Sequence, residues 1–509
     1  MARDNQVRRY PWLRLSIRTA VLAFFVFFFV LMSSGRMGSF DAGQQLSSAM
    51  LAVTRHDLGT RTPPNPDFWV AAPNGVYYEP HDLGATLLML PGALIGAKLS
   101  HASVDEMVKN PPLISKVGVA LTYSLFYALG CYFLFLLFSE FYTARQAFLI
   151  AFVFAAGTFF LPYAKVTWDV APCAAAMCAF LYYAQGLSRP GASPRTFIAA
   201  GLWLAIACTF RYSLAPGLVV AVACLAWRTR GSLPRYVLLG ATFAVGMIPT
   251  FVYNAVRTGQ FLRPATASDY YLKGGNAMDG NILHGLAGLL FSPNRGLLLF
   301  CPIVVAVLVL PWVWRNLNSR QRTLIQSMTL GMLIYMVVIA KLNHWGTFGW
   351  GPRYLVPCLP VLFLAVGPCL LAIASTSRVA AAVVVIAAVC WNVAPATTNW
   401  HVIMAEYPGS DQQDATYPYA TEGIWKGFWM GMHGETLMFA GSDPRFAQQD
   451  EGRRFPDFWT SRLIERGPSG LVAGWGLTLA LLLGMAAALA RLFGDAPKRT
   501  GDAEPKLVI

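Results

Sequence analysis

The chain has 509 residues, of which 56% are hydrophobic and 13% charged, and a formal net charge of +14. So few charges cannot solvate the surface of a soluble protein this long, and the apolar residues gather in runs able to cross about 30 Å of hydrocarbon, so two soluble domains are excluded and an all-α polytopic membrane protein is expected. The positive charge is not a nucleic-acid footprint, because it collects in short loops between apolar runs, where it sets orientation.

Residues 1–14 read as a cytoplasmic N-terminus, and Met1 to Arg18 carries five arginines ahead of the run Ala20 to Met32. The residues that follow, Ser33-Ser34-Gly35-Arg36, offer no small-x-small cleavage pattern, so the run is expected to stay as an anchor. A long polar segment, 34–112, then forms the first exoplasmic loop. Inside it the apolar stretch Leu83 to Leu99, interrupted by Pro91, reads as a helix lying at the membrane surface.

Further apolar runs cover 113–138, 146–164, 170–188, 197–227, 236–254, 297–314, 323–340, 354–374, 379–397 and 471–491. At 1.5 Å per residue the 197–227 run would reach about 46 Å, too long for one straight span. Arg189 and Arg195 precede it while Arg228, Arg230 and Arg235 follow it. Short arginine-rich loops belong on the cytoplasmic side, so the chain is expected to turn back around Arg211. This gives about twelve crossings: a transmembrane core over 15–398, an exoplasmic segment over 399–470, a last span over 471–491 and a cytoplasmic tail over 492–509. On this topology the whole +14 excess lies inside, and all seven histidines lie outside with the two longest polar segments. The chemistry is therefore expected on the exoplasmic face.

The nine cysteines fall within or at the ends of the apolar runs, as packing residues rather than a disulfide framework. No metal-ligand spacing appears, and neither metal nor cofactor is expected. Asp41, just beyond the first span, is placed to take a proton from an acceptor hydroxyl; a helix cap is the plain structural reading. Asp169, between the third and fourth spans, reads equally as an acid of the site or as an N-cap. Arg295 in Ser292-Pro293-Asn294-Arg295-Gly296, Lys341, His344 and Arg353 stand at outer ends of later spans within Gly- and Trp-rich turns. Together they form a candidate phosphate site, to which Arg211 contributes from its hairpin tip. Tyr78, Glu79, His81 and Asp82, in Tyr77-Tyr78-Glu79-Pro80-His81-Asp82, are candidate substrate contacts.

These pieces, in this order, resemble the GT-C superfamily of membrane glycosyltransferases, which includes protein O-mannosyltransferases and aminoarabinose transferases. Phe40-Asp41-Ala42 occupies the place of the family's acidic motif after the first span, with Ala42 where a second acid often sits. Tyr77 to Gly84 is similar to the family's Tyr-x-Lys-Pro-Pro-Leu segment, without its lysine and second proline, and Asp169 matches an acidic position after the third span. Phe291 to Leu297 and Trp350 to Tyr354 are similar to motifs of branches that use polyprenyl-phosphate sugars. The resemblance implies transfer of a sugar from a polyprenyl-phosphate donor to a lipid, glycan or protein acceptor, by direct inverting displacement on the periplasmic side of a bacterial inner membrane. Asp41 would be the base, and Arg295 and Arg353 would steady the departing phosphate. A twelve-span transporter or flippase of lipid-linked saccharides, and a ligase or polymerase of lipid-linked glycans, are the competing readings. Against the transporter stand the absence of two matching halves and, on this topology, of any acid within a span.

Overall fold

A computed structural model describes residues 16–494 except 36, 65, 190, 230–232, 266–276, 347, 411, 413–415, 436–454 and 465. The N-terminal segment 1–14 and the tail from 495 onward lie outside the described residues. The first run forms α1 (Ile17–Met32), whose N-cap Ser16 accepts from the Thr19 amide. Its phenylalanines bury into neighbours, Phe24 edge-on to Phe148 at 5.0 Å and Phe29 against Tyr127 at 5.7 Å.

The polar segment is not an open loop. It folds into α2 (Phe40–Arg55), a three-stranded antiparallel sheet of β1 (Gly59–Thr60), β2 (Val70–Ala71) and β3 (Tyr77–Tyr78) in the order β1-β3-β2, then α3 (Leu83–Leu99) and α4 (Val104–Lys109). The helix α3 runs unbroken through Pro91. Its Ala85, Met89 and Ala93 are buried while Leu87, Leu94 and Ile95 are exposed, and it packs on α2 and on the long helix α5 (Leu113–Ser139).

The run 146–164 is two helices, α6 (Ala144–Ala156) and α7 (Phe160–Lys165), because the first stops at Gly157. The helix α8 (Val170–Leu187) follows. The 197–227 run breaks where the loop charges require: α9 (Pro194–Phe210) ends at Arg211, a turn covers Tyr212–Leu214, and α10 (Ala215–Arg228) returns. Next come α11 (Leu233–Thr258) and α12 (Ile282–Phe291). The run 297–314 departs from the expected single α-helix. It is built of α13 (Leu297–Phe300), a 3₁₀ stretch over Pro302–Val309 and α14 (Leu310–Val313), since Pro302 and Pro311 lack the N–H groups a continuous helix needs.

The chain closes with α15 (Ser319–Ala340), α16 (Leu359–Thr376), α17 (Arg378–Thr397), α18 (Trp400–Glu406), α19 (Tyr419–Met432), α20 (Trp459–Ile464) and α21 (Pro468–Gly494). Among the described residues seven helical segments are long and apolar enough to cross a membrane, and seven shorter apolar ones, including both arms of the Arg211 hairpin, accompany them. The architecture is that of a polytopic helical membrane protein.

Two contacts fix the region that matters most. The first is at Gly84, where a Cβ would lie 2.7 Å from the Phe210 amide nitrogen. Only glycine lets the start of α3 touch the end of α9 so closely. The second is the turn after α15, where Gly351 holds φ 71°, a left-handed conformation that other residues adopt at a cost. It sets the chain direction just before Arg353.

Candidate active site

Six separate stretches of chain meet around a cavity of about 250 Å³, one of them the connection after α11 with Pro264, Ala265, Ala277 and Met278. The first turn of α2 supplies Asp41, and the turn before α3 supplies Pro80, His81 and Asp82. Asp169 comes from the head of α8, Arg211 to Ser213 from the hairpin tip, and His344, Arg353 and Tyr354 from the segment after α15. Val338, Ile339 and Leu342 form an apolar wall. Of the candidate residues, Asp41, Asp169, Arg211, His344, Arg353, His81 and Asp82 are thus brought together, although the sequence distances between them run to hundreds of residues.

The acids and bases are interleaved. Asp41 Oδ2 lies 3.3 Å from His81 Nε2 and 3.8 Å from Arg353 Nη1. His81 Nδ1 in turn lies 3.3 Å from Glu79 Oε2, so the imidazole bridges two carboxylates. Asp169 Oδ1 stands 3.4 Å from Arg211 Nη2. Asp169 sits at the N-cap position of α8 but makes no side-chain cap bond; the capping role does not hold, because its carboxylate turns to Arg211. Nor does Asp41 cap α2: Ser39 does, accepting from the Ala42 amide.

Both arginines rest on aromatic faces. Arg353 lies 4.5 Å above Trp168 and 5.3 Å from Tyr354, and Arg211 lies 4.7 Å from the same tyrosine. Such stacking holds the flat guanidinium while leaving its edge for an anion. Tyr354 is itself pinned, its carbonyl accepting from the Tyr335 hydroxyl at 2.8 Å.

A buried layer supports this one. Glu79 is fully buried and accepts from the His81 amide at 2.9 Å and from Thr86 Oγ1 at 3.3 Å. Burial pushes its carboxyl up from the usual range, against the pull of His81 and Arg257. Arg257, near the end of α11, donates to the Glu79 and His81 carbonyls at 3.2 and 2.6 Å, and the Tyr253 hydroxyl donates to the former at 3.0 Å. Asp82 accepts from the Tyr212 amide at 2.9 Å; burial raises its pKa, opposed by that bond, Arg257 and Arg211. His344 is held neutral to lower pH than an ordinary histidine, by burial and then by the charges of Arg353 and Arg211.

Four candidates do not line the cavity. Tyr78, on β3, is buried edge-on to Tyr253 at 6.2 Å, and Glu79 lies behind His81. Lys341 ends α15, its carbonyl accepting from the Gly280 amide. Arg295 is fully buried elsewhere, donating to the Ser410 carbonyl at 2.6 Å. Its turn is a dock for the segment after α18, for Asn294 donates to the Gln412 carbonyl at 2.6 Å and accepts from the Ala420 amide at 2.7 Å. Sequence reasoning did not single out Trp168, Tyr354 or Arg257. The last had a readable signal, an arginine just past the end of the apolar run 236–254. Among the described residues no group of three or more His, Cys, Asp or Glu is placed to hold a metal ion.

The chain is similar in fold to ArnT from Cupriavidus metallidurans. The crystal structure of that protein bound to undecaprenyl phosphate aligns with 94% of this chain and 77% of its own, at 15% identity and a TM-score of 0.49. Its apo structure aligns with 92% of this chain and 75% of its own, at 16% identity and a TM-score of 0.46. No protein-family model and no curated protein matches the sequence.

Proposed function

We propose that this protein is a membrane glycosyltransferase of the GT-C type, moving a sugar from a polyprenyl-phosphate donor to an acceptor hydroxyl on the exoplasmic face. The observation that carries the reading is the placement of Asp41 beside Arg353, 3.8 Å apart, at the edge of a cavity that also holds Arg211. A displacement at the anomeric carbon needs a carboxylate to accept the acceptor's proton and cations to steady the phosphate that leaves.

The roles divide by exposure and pairing. The Asp41 side chain is 28% exposed and that of Asp169 11%. Asp41 is therefore the more accessible to an incoming hydroxyl, and it is the base. Asp169 holds Arg211 in place. Arg353 and Arg211, stacked on Trp168 and Tyr354, take the donor phosphate, and His344, neutral at pH 7, is a hydrogen-bond partner rather than a third cation there. The O–H proton passes to Asp41 as the new glycosidic bond forms, and the electron pair of the old bond leaves on the phosphate oxygen. With one attack the anomeric configuration inverts. His81, bridging Asp41 and Glu79, positions the base rather than touching the sugar.

Asp41→Asn tests this reading. It keeps the size of the side chain and removes the proton acceptor, so we expect a folded protein that binds donor while transfer falls about 10²- to 10⁴-fold. Normal transfer by Asp41→Asn, measured on the same purified samples as donor binding, would overturn the assignment.

A further inference from the structure

A second cavity, about 450 Å³ in volume, opens where the outer end of α1, the first turns of α5 and the helix α20 meet. It shares no lining residue with the cavity of the candidate active site. One wall is apolar, made by Leu113, Val117 and Leu121 on α5, all of them exposed. The opposite rim carries Arg462 and Arg466. The polar groups between them are already used: Trp459 Nε1 donates to the Val30 carbonyl at 2.7 Å, and Ser124 Oγ to the Ala120 and Phe29 carbonyls.

The groove has an apolar wall and a cationic rim. The apolar helix α1 ends at Met32, α5 begins at Leu113 and α21 begins at Pro468, just after Arg466, so the arginines stand at the polar ends of these apolar helices, and the α5 wall runs from Leu113 to Leu121 through about 12 Å. Its volume falls within the range of about 300–1,000 Å³ for small-molecule sites. A molecule that fills it needs an apolar chain below and an anion above, and a guanidinium fork favours phosphate oxygens. We infer that this groove binds a resident anionic phospholipid of the outer leaflet, distinct from the sugar donor. The site also has a mechanical link inward. Arg462 pairs with Asp457 at 3.3 Å, and Asp457 with the buried Lys165 at 3.0 Å, four residues before Asp169. A headgroup held by Arg462 therefore braces the strut beneath the candidate active site.

The inference does not depend on the chain being a glycosyltransferase, so its test is lipid binding. Native mass spectrometry of the detergent-purified chain is expected to show one tightly held anionic phospholipid. After delipidation, phosphatidylglycerol should raise the melting temperature and phosphatidylcholine should not. Arg466→Gln, which leaves the Arg462–Asp457 pair intact, should lower phosphatidylglycerol affinity roughly tenfold by removing one charge-assisted contact. Leu121→Trp, which fills the groove without touching either arginine, should abolish binding. Four results would each overturn the site: no held lipid, equal response to phosphatidylcholine, unchanged binding in both variants, or a polyprenyl phosphate as the molecule lost on groove filling.

Discussion

At the scale of single residues, the cavity separates charges that the sequence treats alike. Arg353 and Arg295 both sit in Gly-containing turns beside apolar runs, yet one faces the cavity and the other is locked on the Ser410 carbonyl. Arg353→Ala is expected to weaken donor binding by about 1.5–3 kcal/mol, or roughly 10- to 150-fold, the usual loss of a charge-assisted partner. Arg295→Ala should instead lower the melting temperature and leave the donor affinity of the folded fraction intact, and titration of both variants with donor lipid separates the two outcomes. The acids divide in the same way, with Asp169→Asn expected to lose less transfer than Asp41→Asn and to lose it through donor binding. His344 adds a pH dependence. Its folded pKa lies below the ordinary value of about 6.5, so below that pH the unfolded chain binds more protons than the folded one, and stability falls as the pH falls. Melting curves should show that acid-side loss diminished in His344→Asn.

At the scale of elements, the site depends on a close approach between α3 and α9. Gly84 permits it, and the Asp82 to Tyr212 bond seals it across 130 positions of sequence. Gly84→Val places a branched side chain where even a Cβ is too close, and the overpacking is expected to cost about 1–3 kcal/mol. Because the displaced element carries Asp82 and His81, donor binding and transfer should fall together, whereas Ala85→Gly, one residue on, should affect melting temperature alone. Transfer unchanged in a folded Gly84→Val protein would show that the α3 turn does not position the site.

At the scale of the whole molecule, the break at Arg211 makes two helices of what composition offers as one run. With this turn-back both ends of the hairpin are expected on one side of the membrane, while α9 packs on α8 and α11 and α10 packs on α15. Single cysteines at Ser193 and Ser319, both exposed, are expected to be shielded from an impermeant thiol reagent in intact cells. One at the exposed Gln412 should be labelled above the background of the native cysteines. Labelling at Ser193 would reverse the orientation and move the candidate site to the other face.

The sequence by itself determined what depends on local composition and spacing. Apolar runs announce helices, and an over-long run flanked by arginines announces the break at Arg211. Asp41, Asp169 and Arg353 were legible for the same reason, since each is a charge close to the end of an apolar run, where ionisable residues are sparse and so draw notice. What only the tertiary structure decided is direction and partnership. No local pattern reveals that His81 spans Asp41 and Glu79, that Arg257 holds this turn from behind, or that Asn294 and Arg295 dock the segment after α18 instead of facing the cavity. These contacts join positions tens to hundreds of residues apart, and which of two similar arginines reaches the cavity is set by helix packing that brings one turn forward and buries the other.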